Sequence, residues 1–186
     1  MKLLKGSDVA KTIKQQISND IKELNNIRKF PRLCIIRLGN DPSDISYEKS
    51  IIKNCNTLGI NTNVIELDLD IETDDLVNTI EDLNKDESIC GVLIFRPLPK
   101  HIDEGKINMS INPSKDIDCM HPLNLEKIFA GDDTGFAPCT PKAAMEILLH
   151  NEIQLEGKNV VIINRSLVVG KPLAMMLLTQ IATVNN

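Results

Sequence analysis

The chain has 186 residues, of which 42% are hydrophobic and 25% are charged, a composition typical of a globular protein with room for two domains. Its formal net charge of −5 comes without a basic stripe, which argues against nucleic acid or an anionic membrane as a partner. No apolar run approaches the ~20 residues of a membrane span and the N-terminus lacks signal-peptide character, so we expect a cytoplasmic protein.

The cysteines and histidines indicate neither a disulfide framework nor a metal centre. The five cysteines are odd in number and contain no CxxC pair, so we interpret them as reduced thiols. The three histidines lack HExxH or related ligand spacing, so we expect no metal site. These residues are Cys34, Cys55, Cys90, Cys119 and Cys139, with His101, His121 and His150.

The first half of the chain alternates between helical and strand periodicity. Alternating strands and helices predict parallel pairing through right-handed crossovers, and therefore an α/β layer fold. Parallel sheets bind ligands beyond the carboxyl ends of their strands, so the turn after Leu38 and the RPLP run after Phe95 are expected at one edge. The predicted helices are 7–27, 46–58 and 73–84, and the predicted strands are 32–38, 60–68 and 90–95.

The second half begins with a predicted loop, about residues 97–141, whose length is typical of a functional segment or a domain connection. Further on, a strand, the loop NRSLVVG and a helix N-terminus predict an anion site made of free backbone N–H groups. The motif is weak, since GxGxxG is absent and Gly170 is the only glycine of the loop. The predicted elements are a helix over 141–149, a strand over 159–163, a helix over 171–179 and a strand from Ala182.

Tyr47 is the only tyrosine of the chain, and it lies in the run SYEKSIIKN. On a helix, Ile51 shares its face, whereas Lys49 and Lys53 are turned away by ~200° and ~240°. The two lysines are therefore predicted to be solvated charges.

Five blocks of sequence resemble the methylenetetrahydrofolate dehydrogenase/cyclohydrolase family, in the family's order and spacing. They are DPSDISYEKSIIKNCNTLGI, GVLIFRPLPKHID, INPSKDIDCMHPLN, GFAPCTP and GKNVVIINRSLVVGKPLAMMLL. The resemblance implies an α/β protein with a parallel-sheet folate domain, 1–119, and an incomplete Rossmann-like dinucleotide-binding domain, 120–186. It also implies oxidation of methylene-tetrahydrofolate with NADP or NAD, a role in purine biosynthesis, and a cytoplasmic homodimer.

The resemblance assigns catalytic roles to Tyr47 and Asp118 in a folate cleft between the two domains. Without the resemblance, the better interpretation of Tyr47 is a core tyrosine, and that of the KDID run is a solvated charge cluster. The turn formed by Pro97, Leu98 and Pro99, here called the PLP turn, is then a plain rigid loop. The implied substrate-binding residues are Tyr47, Ile51, Phe95, Pro97, Leu98, Pro99 and Asp118.

Two departures from the family pattern bear on activity. Ile51 stands where the family has a catalytic lysine, and Phe95 stands where it has that lysine's glutamine partner. Neither side chain can polarise water or move a proton, so we expect cyclohydrolase activity to be weak or absent. Hydride transfer depends more on positioning, so dehydrogenase activity is expected to remain; full bifunctionality is the alternative.

The implied cofactor-binding residues are Asn164, Arg165, Ser166 and Gly170. Asn164 replaces a family glycine, as Cys119 does after KDID, while Asp44 replaces a serine and Met120 an aromatic residue. Arg165 fits either a 2′-phosphate or plain surface charge, so the choice between NADP and NAD stays open.

The family continues well past Asn186, so the sequence reads as a truncated chain whose cofactor domain is only begun. We expect the 186 residues expressed alone to bind NAD(P) poorly and to aggregate. The rival interpretation is a non-catalytic folate-binding or interaction module.

Overall fold

The structure is a computed structural model that describes residues 3–185. Within them the chain forms seven helices and five strands. The mixed α/β order confirms the predicted fold class, although two of the seven helices were not predicted. The helices are α1 (Gly6–Asn26), α2 (Pro42–Leu58), α3 (Thr73–Lys85), α4 (Glu104–Ser110), α5 (Pro122–Ala130), α6 (Cys139–His150) and α7 (Gly170–Leu178). The strands are β1 (Arg32–Leu38), β2 (Asn61–Leu67), β3 (Gly91–Ile94), β4 (Asn159–Val161) and β5 (Thr183–Asn185).

The chain divides into two compact units, and the division falls within α1. The central unit comprises Lys14–Ile117, and the terminal unit comprises residues up to Ile13 with residues from Asp118 onward. Across residues 3–185, no helix combines the length and the apolar character needed to cross a lipid bilayer.

The central unit is built on a parallel sheet of order β2-β1-β3. Ile36 of β1 pairs with Ile65 on one side and with Ile94 on the other. Parallel strands covered on both faces are apolar throughout, and the Cys34, Ile35 and Ile36 side chains of β1 are fully buried. Each buried aliphatic side chain contributes about 1.5–3 kcal/mol, so the sheet holds the rim of the unit in place.

The terminal unit carries a two-stranded parallel sheet, β4-β5. Its core joins Met145 of α6, Leu155, Leu177 of α7 and Ala182. The predicted strand at 159–163 ends two residues earlier, at Val161.

Helix α2 begins four residues before the predicted start at 46. The Asp41 side chain accepts a hydrogen bond from the Ser43 N–H at 2.7 Å, and Pro42 occupies the first turn. An aspartate cap followed by proline is a strong start signal, whereas hydrophobic periodicity alone begins later.

The prediction of a continuous loop over 97–141 is wrong, because α4 and α5 lie within it. The Asp103 side chain caps α4 by accepting from the Lys106 N–H at 3.1 Å. The ring of His121 caps α5 by accepting from the Leu123 N–H at 3.1 Å. Helices of seven and nine residues are too short for periodicity to stand out.

Candidate functional site

A cavity of about 540 Å³ opens at the carboxyl edge of the three-stranded sheet. Its volume lies in the range of roughly 300–1,000 Å³ found for small-molecule sites. The turn after β1 and the RPLP run after β3 both line it, which confirms that they meet at one edge. The lining residues are Leu38, Asn40, Asp41, Asp44, Leu69, Phe95, Pro97, Leu98, Pro99 and Lys100.

Several lining residues were not among the predicted site residues, although the turn after β1 was expected at this edge. Asn40 and Asp41 follow β1, Leu69 follows β2, and Lys100 follows the PLP turn. The same rule of strand carboxyl ends could have identified them. Hydrogen bonding from Ser43 lowers the pKa of the Asp41 carboxyl, so this wall of the cavity is anionic.

Tyr47 and Phe95 are in direct contact. Their ring centroids lie 5.3 Å apart with the planes tilted by 35°, a favourable aromatic arrangement. Phe95 is 7% exposed and lines the cavity, whereas Tyr47 is 59% exposed. Tyr47 is therefore a surface tyrosine that covers one side of a buried aromatic residue.

Lys49, Lys53 and Ile51 of α2 are oriented as predicted. Lys49 and Lys53 are exposed and Ile51 is half-buried. Ile51 shares the helical face of Tyr47 but is not among the residues that line the cavity.

The PLP turn is anchored by Arg96, the residue that precedes it. The Arg96–Pro97 peptide bond is cis. The Arg96 side chain forms an ion pair with Glu104 of α4 and donates to the Asn108 Oδ1 at 2.6 Å.

The KDID run is not a solvated charge cluster. The Lys115 Nζ donates to the backbone carbonyls of Leu83, Asn84 and Asp86, each at 2.8 Å. Asp116 is 1% exposed and forms a bridge with Val92 of β3.

Asp118 and Cys119 open the terminal unit. Asp118 is half-buried, and burial together with its neighbouring carboxylate raises the pKa of the Cys139 thiol. Cys119, the residue that replaces a family glycine, has a φ of +59°. This left-handed backbone is one that glycine adopts most readily.

In the predicted cofactor loop, the backbone N–H groups of Ser166 and Gly170 are already hydrogen-bonded within the protein. The Asn164 Oδ1 accepts from the Ser166 N–H at 2.9 Å, the Ser166 hydroxyl at 2.9 Å and the Gly170 N–H at 3.0 Å. The prediction that these donors are free is therefore wrong. Arg165 and Lys171 are exposed cations beside the loop, which suits the phosphates of a dinucleotide.

Two family models match the chain. The catalytic domain of tetrahydrofolate dehydrogenase/cyclohydrolase matches residues 4–118, and the NAD(P)-binding domain of the same enzymes matches residues 138–186.

Individual relatives agree with these matches. The bifunctional protein FolD of Clostridium botulinum (strain Langeland) is 55% identical over 183 residues, covering 98% of this chain and 65% of the relative. The bifunctional protein FolD of Clostridium kluyveri is 48% identical over 185 residues, covering 98% of this chain and 64% of the relative. The chain thus spans about 65% of the length of these curated relatives.

Solved structures share the fold. The bifunctional FolD methylenetetrahydrofolate dehydrogenase/cyclohydrolase from Campylobacter jejuni has a TM-score of 0.96 at 39% identity, covering 100% of this chain and 66% of that one. A 5,10-methylenetetrahydrofolate dehydrogenase from Bombyx mori has a TM-score of 0.93 at 32% identity, covering 99% and 67%.

Proposed function

Because the chain belongs to the tetrahydrofolate dehydrogenase/cyclohydrolase family, we propose that the protein oxidises methylene-tetrahydrofolate to methenyl-tetrahydrofolate with NADP or NAD. The observation that carries this proposal is the cavity at the carboxyl edge of the sheet, where Phe95 and the 97–99 turn form one wall. A flat, partly polar pterin ring suits a site that combines an aromatic face with a rigid apolar turn.

We propose that the folate is bound by residues of α2, of the 97–99 turn and of the KDID run. Tyr47 would present its ring edge and hydroxyl to the substrate, and the Asp118 carboxylate would accept hydrogen bonds from the pterin N–H groups. The proposed binding residues are Tyr47, Ile51, Phe95, Pro97, Leu98, Pro99 and Asp118.

The cofactor is proposed to bind at the loop after β4, through Asn164, Arg165, Ser166 and Gly170. When bound, its nicotinamide accepts the hydride that leaves the methylene carbon. Similar solved structures include a Trypanosoma brucei enzyme complexed with NADP and an NAD-dependent enzyme from Saccharomyces cerevisiae. Both coenzymes therefore stay within the proposal.

We further propose that cyclohydrolase activity is weak or absent. Hydrolysis of the methenyl cation needs a group that polarises water and moves protons. Ile51 has no such group, and Phe95 is an apolar ring packed against Tyr47. The curated relatives are named bifunctional, so the alternative is a protein with both activities.

The wider biological setting is proposed from the family alone. We propose a homodimer in the cytoplasm that contributes one-carbon units to purine biosynthesis.

The direct experiment uses the full-length protein and follows the absorbance of methenyl-tetrahydrofolate formed from methylene-tetrahydrofolate, with NAD and NADP in parallel. We expect product with at least one coenzyme. If neither supports product formation but folate still binds, the protein is a folate-binding module and the proposed dehydrogenase activity is wrong.

A further inference from the structure

Arg37 is a buried charge with no part in the proposed reaction. It is 2% exposed and stands second from the end of β1, a strand that is otherwise apolar after its first residue. A buried guanidinium is costly unless its donors are satisfied and its charge is paired. Its partners therefore indicate what it holds together.

The guanidinium of Arg37 makes contacts in three directions. The Nε donates to the Glu48 Oε2 at 2.8 Å, and an Nη lies 2.8 Å from the Glu66 Oε1. The other Nη donates to the backbone carbonyl of Gly39. One side chain on β1 thus ties down α2, β2 and the turn that follows β1.

One of these three contacts fixes a wall of the cavity, and a second orients Tyr47 beside the cavity-lining Phe95. The Gly39 turn leads directly into Asn40 and Asp41, which line it. Glu48 is the residue after Tyr47, and successive residues on a helix are ~100° apart. Holding Glu48 against β1 therefore sets the direction in which Tyr47 points, which is onto the ring of Phe95.

We propose that Arg37 is a positioning residue of the substrate cavity, holding α2 and the Gly39 turn so that Tyr47 stays against Phe95. This inference rests on the proposed function, because it assigns Arg37 to the folate site. Arg37 does not line the cavity, so it acts through Glu48 and Gly39. Lysine cannot replace it, since an ammonium on a flexible stem lacks the planar fork that reaches three acceptors at fixed angles.

The test compares Arg37→Lys with Glu66→Gln, which changes only the exposed partner. Tyrosine near-UV circular dichroism reports on Tyr47, because the chain has one tyrosine and no tryptophan. The spectrum of Tyr47→Phe gives the background without the tyrosine signal. We expect Arg37→Lys to change this signal and to raise the KM for methylene-tetrahydrofolate by about tenfold. The KM for the coenzyme should stay unchanged, and Glu66→Gln should resemble the parent in all three measurements.

A purely structural role predicts a different result. Replacing both members of a buried ion pair by apolar residues often restores stability, so Arg37→Leu with Glu48→Leu serves as a second variant. We expect it to regain the melting temperature but not the parent folate KM.

If Arg37→Lys lowers only the melting temperature, or if the double variant regains the folate KM, the positioning role is wrong. If the parent has no dehydrogenase activity, the proposed function fails. The dichroism comparison then still decides whether Arg37 orients Tyr47.

Discussion

Asn164 and Gly170 are joined across the loop that connects β4 to α7, with the Asn164 Oδ1 accepting from the Gly170 N–H at 3.0 Å. A Cβ added to Gly170 would lie 1.8 Å from the Asn164 carbonyl oxygen, so only glycine permits this closure. A neutral amide oxygen therefore occupies a donor at the start of α7, where an anion would otherwise bind.

We predict that Asn164→Asp lowers the affinity for NADP and NAD by at least about tenfold. The carboxylate keeps the acceptor geometry but places a full negative charge beside the cofactor phosphates. Isothermal titration of the full-length protein with each coenzyme measures the change. Asn151→Asp is the control, since Asn151 lies at the end of α6 and hydrogen-bonds to Ile147 instead; an equal loss there would show a general charge effect.

Gly39, beside the cavity, and Gly157, in the terminal unit, provide a matched pair for backbone strain. Both have positive φ, +71° and +68°. An added Cβ at Gly39 would lie 2.5 Å from the Leu69 Cγ, whereas at Gly157 it would meet nothing within 4 Å.

We predict that Gly157→Ala costs about 1–2 kcal/mol of unfolding free energy from φ alone. Gly39→Ala should cost about 0.5–1.5 kcal/mol more, because the Leu69 side chain must leave its present rotamer. Urea unfolding measures both values. Since Leu69 lines the cavity, Gly39→Ala should also weaken folate binding; equal costs and unchanged binding would contradict the predicted clash.

The central sheet could be predicted from the sequence because β1 and β3 are largely apolar runs, while the more polar β2 is bounded by Gly59 and follows a helix. β1 has the predicted bounds, 32–38, since every residue from Cys34 to Leu38 is buried. The position of the cavity followed from parallel pairing and the rule of strand carboxyl ends.

The details that sequence reasoning missed depend on side chains meeting across long separations. Lys115 is satisfied by three carbonyls about 30 residues away in the chain. The partners of Arg37 lie on two other elements, and neither hydrophobic period nor composition indicates such pairing. The Asn164 side chain is exposed but hydrogen-bonds to N–H groups of its own loop, and a loop motif does not reveal such local bonding.

The Cys34 thiol gives a pH-dependent prediction. Burial, followed by the charge of Asp86, raises the pKa of Cys34 from 9.0 to about 11. The folded state holds this proton more tightly, so the stabilisation is complete below pH 9.0 and is lost as the pH rises towards about 11. We predict that the unfolding free energy falls across this range and falls less steeply in Cys34→Ala. Urea titrations at several pH values measure the two slopes; identical slopes would contradict the shift.

The final prediction concerns the two apolar residues at the proposed folate site. We expect the full-length parent protein to hydrolyse methenyl-tetrahydrofolate no faster than the spontaneous reaction while it still oxidises methylene-tetrahydrofolate. The measurement supplies methenyl-tetrahydrofolate and follows its decay. Hydrolysis at a rate comparable to dehydrogenase turnover would show that Ile51 and Phe95 do not limit this step.

The gain-of-function arm compares Ile51→Lys with Ile51→Lys plus Phe95→Gln. General acid–base groups contribute about 10²–10⁴-fold, so hydrolysis should appear in the double variant if lysine and amide act as a pair. Phe95 is 7% exposed and supports Tyr47, so its replacement also costs stability, and Phe95→Leu controls for the lost ring.

Lys49 and Lys53 are exposed in the parent, and a lysine must lie on the Tyr47 face to act. A lysine at position 51 should therefore contribute to hydrolysis of methenyl-tetrahydrofolate, whereas the native Lys49 and Lys53 should not. If no variant hydrolyses while all oxidise, the loss extends beyond the pair, and Asp44 and Cys119 become the next positions to restore.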